Sequence, residues 1–148
     1  MIAIGSDHGG YKLKEEVKKY LKEIGLEYKD YGTDSEERTD FPIYAKRVAE
    51  AIQNNECDKG ILICRTGFGM AIVANKFKGI RCAACYNDET VKQAKEHSNI
   101  NVLAIPADYT NISEAVKRIR VWLGSEALEG RYQERLQMIA DIENENMK

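Results

Sequence analysis

A cysteine stands where a buried-type strand enters a glycine-containing turn, in the segment Gly60-Ile-Leu-Ile-Cys64-Arg65-Thr66-Gly67-Phe68-Gly69-Met70. A thiol at that point faces the first unpaired N–H groups of the following helix, whose dipole favours the thiolate. The same N–H groups can stabilise an oxyanion on a bound substrate. The segment therefore predicts a base beside an anion-binding loop, with a small buried thiol at a strand end as the ordinary alternative.

A second polar turn follows the first predicted strand and reads Ser6-Asp7-His8-Gly9-Gly10-Tyr11. Backbone N–H groups at the start of a helix can hold an anion there, while Asp7 or His8 handles protons. The same residues also suit a purely structural turn, in which Asp7 caps the helix and His8 is an exposed side chain. Both interpretations stay open on the turn alone.

Two further candidates lie later in the chain. His97 stands near the end of a predicted helix, where a capping or solvent role is common. Arg131 and Arg135 lie one helical turn apart at the start of the last predicted helix. Paired guanidinium groups suit a phosphate, although solvated charges at this spacing are the common case.

The other three cysteines give weaker signals. Cys82 and Cys85 have C-x-x-C spacing, but they lie in a predicted strand, where residues three apart point to opposite faces. Zinc binding is not expected, because no second Cys or His pair is nearby. Cys57 is interpreted as an incidental residue of a polar turn, and all four cysteines are expected to be reduced thiols.

Short apolar runs alternate with longer stretches of helical periodicity and must position these residues. The alternation predicts an α/β fold, a three-layer Rossmann-like sandwich in which helices flank a five-stranded parallel sheet. The predicted strands span residues 2–6, 27–30, 60–64, 81–86 and 102–105. The predicted helices span residues 11–24, 42–53, 69–76, 88–97, 113–122 and 131–144, and the tail 143–148 is expected to fray.

The predicted sheet also indicates where the chemistry lies. In open parallel sheets, ligands bind just beyond the carboxyl ends of the strands. Five of the 11 glycines, at positions 5, 9, 10, 67 and 69, stand near the end of the first predicted strand or in the turns that follow the first and third predicted strands. We therefore expect the active edge there, with both His8 and His97 at this edge or next to it.

Size and charge exclude several classes of protein. The 148 residues suit one domain, spanning 1–148. The net charge of -2, from 22 basic and 24 acidic residues, offers no large positive field for nucleic acid or anionic lipid. No run of about 18 apolar residues and no signal-peptide pattern occurs, so we expect a cytoplasmic protein with neither nucleic-acid nor membrane partners.

Several segments, in order along nearly the whole chain, form a larger pattern. They are Gly5-Ser-Asp-His-Gly-Gly10, Arg38-Thr-Asp-Phe-Pro42, Ile63-Cys-Arg-Thr-Gly-Phe-Gly-Met70, Ala74-Asn-Lys76, Gly79-Ile-Arg81, Glu96-His97, Asn101-Val-Leu-Ala104 and Glu129-Gly-Arg-Tyr-Gln-Glu-Arg135. Together they resemble the family of ribose-5-phosphate isomerase B and the galactose-6-phosphate isomerase subunits. That family interconverts aldose and ketose phosphates.

The resemblance implies an isomerase acting through an enediolate, first of all on ribose 5-phosphate and ribulose 5-phosphate. It implies that Cys64 moves the proton and that Asp7, His97 and Thr66 serve catalysis around ring opening. Contacts to the sugar phosphate are implied for Asp7, His8, Arg65, Thr66, Gly67, Phe68, Gly69, Ser98, Asp108, Arg131 and Arg135.

The same resemblance bears on cofactors and assembly. It implies neither a metal ion nor an organic cofactor. It also implies a homodimer, or a dimer of dimers, with the site at the subunit interface. The last helix, residues 131–144, is then expected to pack on a partner subunit.

Four positions depart from the usual pattern of that family. Arg65 stands where glycine is common, Ser98 where asparagine is usual, Asp108 where arginine is usual and Tyr132 where histidine often follows the first tail arginine. Arg65 places a bulky cation beside the anion hole, and Asp108 reverses a charge. Two alternatives therefore stay open: the same chemistry on a tetrose or hexose phosphate such as galactose 6-phosphate, and a noncatalytic sugar-phosphate binding protein.

Overall fold

A single parallel sheet organises the chain, and the computed structural model describes residues 1–147 of it. The strand order is β2-β1-β3-β5-β4, and every neighbouring pair is parallel. The strands are β1 (Ile2–Ser6), β2 (Tyr28–Asp30), β3 (Lys59–Cys64), β4 (Cys82–Ala84) and β5 (Val102–Pro106). The predicted five-stranded α/β fold is confirmed.

Six helices connect and flank these strands. They are α1 (Tyr11–Glu23), α2 (Phe41–Gln53), α3 (Phe68–Ala74), α4 (Asp88–Ser98), α5 (Ile112–Gly124) and α6 (Arg131–Asn146), with 3₁₀ turns at His8–Gly10 and Ala107–Tyr109. Capping explains several starts: Asn87 accepts from the Thr90 N–H, and Asn111 forms a reciprocal capping box with Glu114. No helix within residues 1–147 is long and apolar enough to cross a membrane.

The central strands are buried on both faces, which explains their nearly continuous apolar sequence. In β3, Ile61 and Ile63 face a core shared with α1, α4 and α5. Leu62 and Cys64 face the opposite core, which α2 and α3 cover. The two-residue period of a strand therefore turns the Cys64 side chain toward the α2–α3 layer.

Two glycines allow the loops at the carboxyl edge to approach closely. A Cβ atom on Gly10 would lie 2.4 Å from the carbonyl oxygen of Ile63, so the start of α1 sits directly against the end of β3. A Cβ atom on Gly69 would lie 2.5 Å from the Phe41 ring, which covers the first turn of α3. The first contact brings the turn after β1 against the end of β3, and the second brings the start of α2 against the start of α3.

Three sequence-based predictions about local structure are wrong. β4 ends at Ala84, before the predicted residue 86, because it lies at the edge of the sheet and pairs only with β5. The tail does not fray at Glu143, since α6 continues to Asn146 and Glu143 accepts a hydrogen bond of 2.7 Å from the Gly79 N–H. Cys57 is buried in the core beside α2, its sulfur 3.8 Å from the Tyr31 hydroxyl.

Other predictions about the cysteines are confirmed. Cys82 and Cys85 belong to the cores on opposite faces of the sheet. All four cysteines are free thiols.

The last helix lies at the amino edge of the sheet, away from the loops just described. Near its start, the Leu128 N–H donates to the carbonyl of Glu96, close to the end of α4. Near its end, Glu143 reaches Gly79, which precedes β4. α6 therefore runs along the amino ends of the strands at the β4 side.

Candidate active site

Cys64 is the last residue of β3, and its side chain is only 5% exposed. Its sulfur lies 3.2 Å from the Gly67 amide nitrogen, whose N–H donates to it. Gly67 has a φ of +78°, a left-handed conformation that favours glycine and lets the loop turn back on the thiol. An N–H aimed at the sulfur stabilises the thiolate, the form that acts as a base.

Unpaired amide groups stand beside this thiol at the start of α3. The first hydrogen bond of the helix joins the Ala71 N–H to the Gly67 carbonyl, and the Phe68 N–H is taken by the Thr66 hydroxyl at 3.3 Å. The N–H groups of Gly69 and Met70 therefore have no carbonyl acceptor within the helix. This arrangement can hold an oxyanion close to the base.

Asp7 and His8 lie across the sheet edge from this loop, after the neighbouring strand β1. Asp7 is buried, and one of its carboxylate oxygens accepts the Gly10 N–H at 3.1 Å, so it does cap the turn. The His8 Nδ1 atom lies 3.1 Å from the Thr39 carbonyl oxygen and 3.2 Å from the Thr39 nitrogen. The Thr39 backbone thus fixes one side of the imidazole and leaves Nε2 for a ligand.

Two of the unusual residues, Arg65 and Asp108, contact each other at the mouth of this site. The Arg65 Nη1 atom lies 3.6 Å from Asp108 Oδ1, and the Asp108 N–H donates to the Arg65 carbonyl at 3.0 Å. The arginine stem crosses Gly9, where a Cβ atom would lie 2.8 Å from Arg65 Cγ. Both side chains are largely exposed, so this ion pair contributes little to stability and the guanidinium can move to a ligand.

A second group of predicted residues gathers around Tyr132. The His97 ring stacks on the Tyr132 ring with centroids 4.8 Å apart. The guanidinium carbons of Arg131 and Arg135 lie 5.2 and 5.7 Å from the Tyr132 centroid. Arg131 also donates to the Tyr132 hydroxyl, which raises the pKa of that arginine. The sequence pattern did not place this tyrosine at the centre of the group.

The placement of His97 at the active edge is wrong for a single chain. α4 starts at the carboxyl edge and runs back, so His97 and Ser98 at its end lie at the amino edge. β3 spans six residues at about 3.3 Å each, which separates the two edges by roughly 16 Å or more. Neither His97 nor Ser98 can reach Cys64 within the same chain.

The predicted site residues therefore form two groups in one chain. The Cys64 group at the carboxyl edge contains Asp7, His8, Cys64, Arg65, Thr66, Gly67, Phe68, Gly69 and Asp108. The Arg131 group at the amino edge contains His97, Ser98, Arg131, Tyr132 and Arg135. The first group has a thiol beside unpaired backbone amides, and the second has cations suited to a phosphate.

Tyr86, which the sequence did not mark as a site residue, contacts the loop between β3 and α3. Its hydroxyl donates to the Thr66 carbonyl at 2.6 Å, and its ring centroid lies 5.7 Å from those of both Phe68 and Tyr109. Partial burial, together with the neighbouring Tyr109 and Cys64, raises the pKa of Tyr86. The one available signal was its position at the end of a predicted strand.

Metal-ligating side chains do not gather in either group. Within residues 1–147, no three His, Cys, Asp or Glu side chains come together in a way that could hold a metal ion. The polar groups of the Cys64 group are instead backbone amides, two carboxylates, one imidazole, one guanidinium and the Thr66 hydroxyl.

Comparison with known proteins gives a consistent result. A family model described as Ribose/Galactose Isomerase matches residues 2–139. Ribose-5-phosphate isomerase B of Escherichia coli is 44% identical over 142 residues, covering 96% of this chain and 95% of that protein. The ribose-5-phosphate isomerase B structure of Clostridium thermocellum superimposes with a TM-score of 0.94 at 42% identity, covering 97% of both chains.

A third relative has been solved with a sugar phosphate. It is ribose-5-phosphate isomerase B of Mycoplasma genitalium with bound ribulose 5-phosphate, 34% identical, with a TM-score of 0.93. The likeness covers 98% of this chain and 97% of that one. The likeness therefore extends over nearly the whole length of both chains.

Proposed function

This chain belongs to the ribose/galactose isomerase family, and we propose on that basis that it converts ribose 5-phosphate to ribulose 5-phosphate. It is an aldose–ketose isomerase acting on a sugar phosphate. The observation that carries the proposal is the Cys64 sulfur, which accepts the Gly67 N–H beside the free amides of α3. A base next to an oxyanion site is the minimum apparatus for moving a carbonyl between adjacent carbons.

The proposed reaction begins with the open-chain aldose. The Cys64 thiolate takes the proton from C2, and the electron pair of that C–H bond forms the C1–C2 double bond. The carbonyl electrons move onto O1, where the Gly69 and Met70 N–H groups hold the negative charge. The O2 proton passes to O1 as the C2 carbonyl forms, and the Cys64 thiol returns its proton to C1. No atom or electron is gained or lost, as an isomerisation requires.

Ring opening and phosphate binding complete the proposed cycle. Asp7 has one oxygen committed to the Gly10 N–H and a second oxygen for a sugar hydroxyl, and Thr66 assists from the loop after β3. His8 presents Nε2 to the phosphate. Arg131 and Arg135 supply the remaining positive charge, and His97 assists ring opening. Phosphate binding far from C1 and C2 provides positioning energy for the reaction.

A site that combines the Cys64 group with the Arg131 group needs two copies of the chain. Because the Arg131 group and the Cys64 group lie at opposite edges, we propose that each site combines one group from each protomer of a homodimer. Large exposed apolar residues support this. Phe68 of the Cys64 group and the nearby Ile72 are 56% and 61% exposed, and Met138 and Ile142 on α6 are 62% and 60% exposed. Burying such surfaces drives association.

The Arg65–Asp108 pair is proposed to choose the sugar. Asp108 holds the guanidinium at the mouth of the site without a ligand, and a phosphate or hydroxyl oxygen would compete for it. The length of the sugar decides whether its far oxygens reach Arg65. Because the family includes galactose isomerases, a hexose phosphate is the second candidate substrate.

A cytoplasmic location is proposed because Cys64 acts as the base. A cysteine that must act as a thiolate has to stay reduced, and the cytoplasm keeps thiols reduced. All four cysteines are free and buried, which fits a cytoplasmic enzyme.

A substrate panel tests the proposal. The wild-type protein should convert ribose 5-phosphate with a kcat/KM at least about tenfold above those for erythrose 4-phosphate and galactose 6-phosphate. Running the panel on Arg65→Met, which keeps the stem but removes the charge, should narrow these differences. If the protein binds all three sugar phosphates and converts none, it is a binding protein. If kcat/KM is higher for erythrose 4-phosphate or galactose 6-phosphate than for ribose 5-phosphate, that sugar phosphate is the substrate.

A further inference from the structure

The Thr66–Gly67 peptide is held from both sides. Its N–H, on Gly67, donates to the Cys64 sulfur at 3.2 Å, and its carbonyl, on Thr66, accepts from the Tyr86 hydroxyl at 2.6 Å. The N–H and C=O bonds of a trans peptide lie in one plane and point in opposite directions. A hydroxyl bound to the carbonyl therefore also fixes where the N–H points.

The peptide needs such a restraint. Gly67 has no side chain and can occupy both left- and right-handed conformations at little cost, so the peptide before it can rotate. Rotation would turn the N–H away from the sulfur and bring the carbonyl oxygen toward it. A carbonyl dipole facing the thiol disfavours the thiolate.

Tyr86 is itself firmly placed. Its ring contacts those of Phe68 and Tyr109, each with a centroid 5.7 Å away. The preceding residue, Cys85, is anchored through its carbonyl by the buried Arg118 at 3.2 Å and through its N–H by the Ala104 carbonyl at 3.2 Å. The hydroxyl therefore reaches the Thr66 carbonyl from a fixed platform.

The Tyr86 hydroxyl also makes the Gly67 N–H a stronger hydrogen-bond donor. A hydrogen bond to the carbonyl of an amide polarises that amide and strengthens its N–H as a donor. The raised pKa of Tyr86 keeps its proton in place for this bond over the range in which a thiol titrates.

From this geometry we infer that Tyr86 is a positioning residue for the Cys64 base, acting through the Thr66–Gly67 peptide. It does not touch the substrate in this role. The inference rests on the proposed function in one respect, because it assumes that the Cys64 thiolate is the working form.

The test is Tyr86→Phe, which keeps the stacked ring and removes only the hydroxyl. The rate at which iodoacetamide alkylates Cys64, followed by mass spectrometry of its peptide, should reach half its maximum about one pH unit higher than in wild type. The kcat should fall about tenfold at neutral pH and recover at higher pH, while KM stays within about twofold. Tyr109→Phe is the matched control, since it removes a hydroxyl from the same stack and should change neither profile.

The two readouts separate this inference from the proposed function. An unchanged alkylation profile in Tyr86→Phe, in an enzyme whose wild type is active, overturns the positioning role. Alkylation needs no turnover, so a shifted profile in a protein without isomerase activity supports the role of Tyr86 and overturns the proposed function instead. A shift of the same size in Tyr109→Phe also overturns the inference, because it traces the effect to the stack.

Discussion

Cys64→Ala is expected to lower kcat for ribose 5-phosphate by about a thousandfold. The variant lacks the group that takes the proton from C2, and general bases contribute about 10² to 10⁴ to such steps. The fold should survive, because only one sulfur atom is lost from the core beside α3. The measurement is the initial rate of ketose formation, with circular dichroism melting as the check on folding.

A matched control comes from another buried thiol. Cys57 lies in the same core, just before the start of β3, and its sulfur lies 3.8 Å from the Tyr31 hydroxyl. Cys57→Ala removes the same atom from the same kind of environment and should keep kcat within about twofold. Near-normal turnover in Cys64→Ala would remove the assigned base from the mechanism.

Mixing two inactive variants is expected to restore about a quarter of the wild-type activity. In a homodimer whose sites each combine one group from each protomer, Cys64→Ala inactivates the Cys64 group. Arg131→Ala combined with Arg135→Ala inactivates the Arg131 group. Co-refolding equal amounts gives mixed dimers in about half of the population. Each mixed dimer has one site with both groups intact, so half of the sites in half of the dimers work.

The control for this mixture uses two changes in the same group. Cys64→Ala co-refolded with His8→Ala leaves every site with a damaged Cys64 group, so the mixture should stay inactive. A mixture of Cys64→Ala with the double arginine variant that also stays inactive, although size-exclusion chromatography shows mixed dimers, contradicts the shared site.

Local patterns explain why the fold could be predicted well. The apolar strands β1, β3 and β5 are buried on both faces, and the helix periodicity marks each buried stripe. Errors arose at β4 and at the tail, where long-range pairing sets the boundary. Glu143, for instance, is ordered by the Gly79 N–H, 64 residues away in the chain.

Site residues, too, could be predicted only where their signal is local in the sequence. Cys64 could be identified because its signal, a thiol followed by glycines at a helix start, is contained in a few residues. Tyr86 could not, since its role depends on one hydrogen bond to Thr66, 20 residues earlier. His97 was predicted at the wrong edge of the sheet, because its position in the sequence does not say in which direction α4 crosses the sheet.

Two departures from the family pattern gain meaning together. Arg65 and Asp108 stand as unrelated substitutions in the sequence, one adding a cation and one adding an anion. Their side chains meet at 3.6 Å, so each explains how the other is tolerated at an anion-binding site. Their net charge at the mouth is zero without substrate, which leaves Arg65 free to respond to one.

The proposed mechanism moves a proton between C1 and C2 of a sugar phosphate through an enediolate. The most direct test is proton NMR of ribose 5-phosphate incubated with the wild-type protein in D₂O. We expect ribulose 5-phosphate that carries solvent deuterium at C1, because the Cys64 thiol exchanges its proton while the enediolate is held. Ribose 5-phosphate that is bound but returned unconverted, with no deuterium at C2, would contradict it.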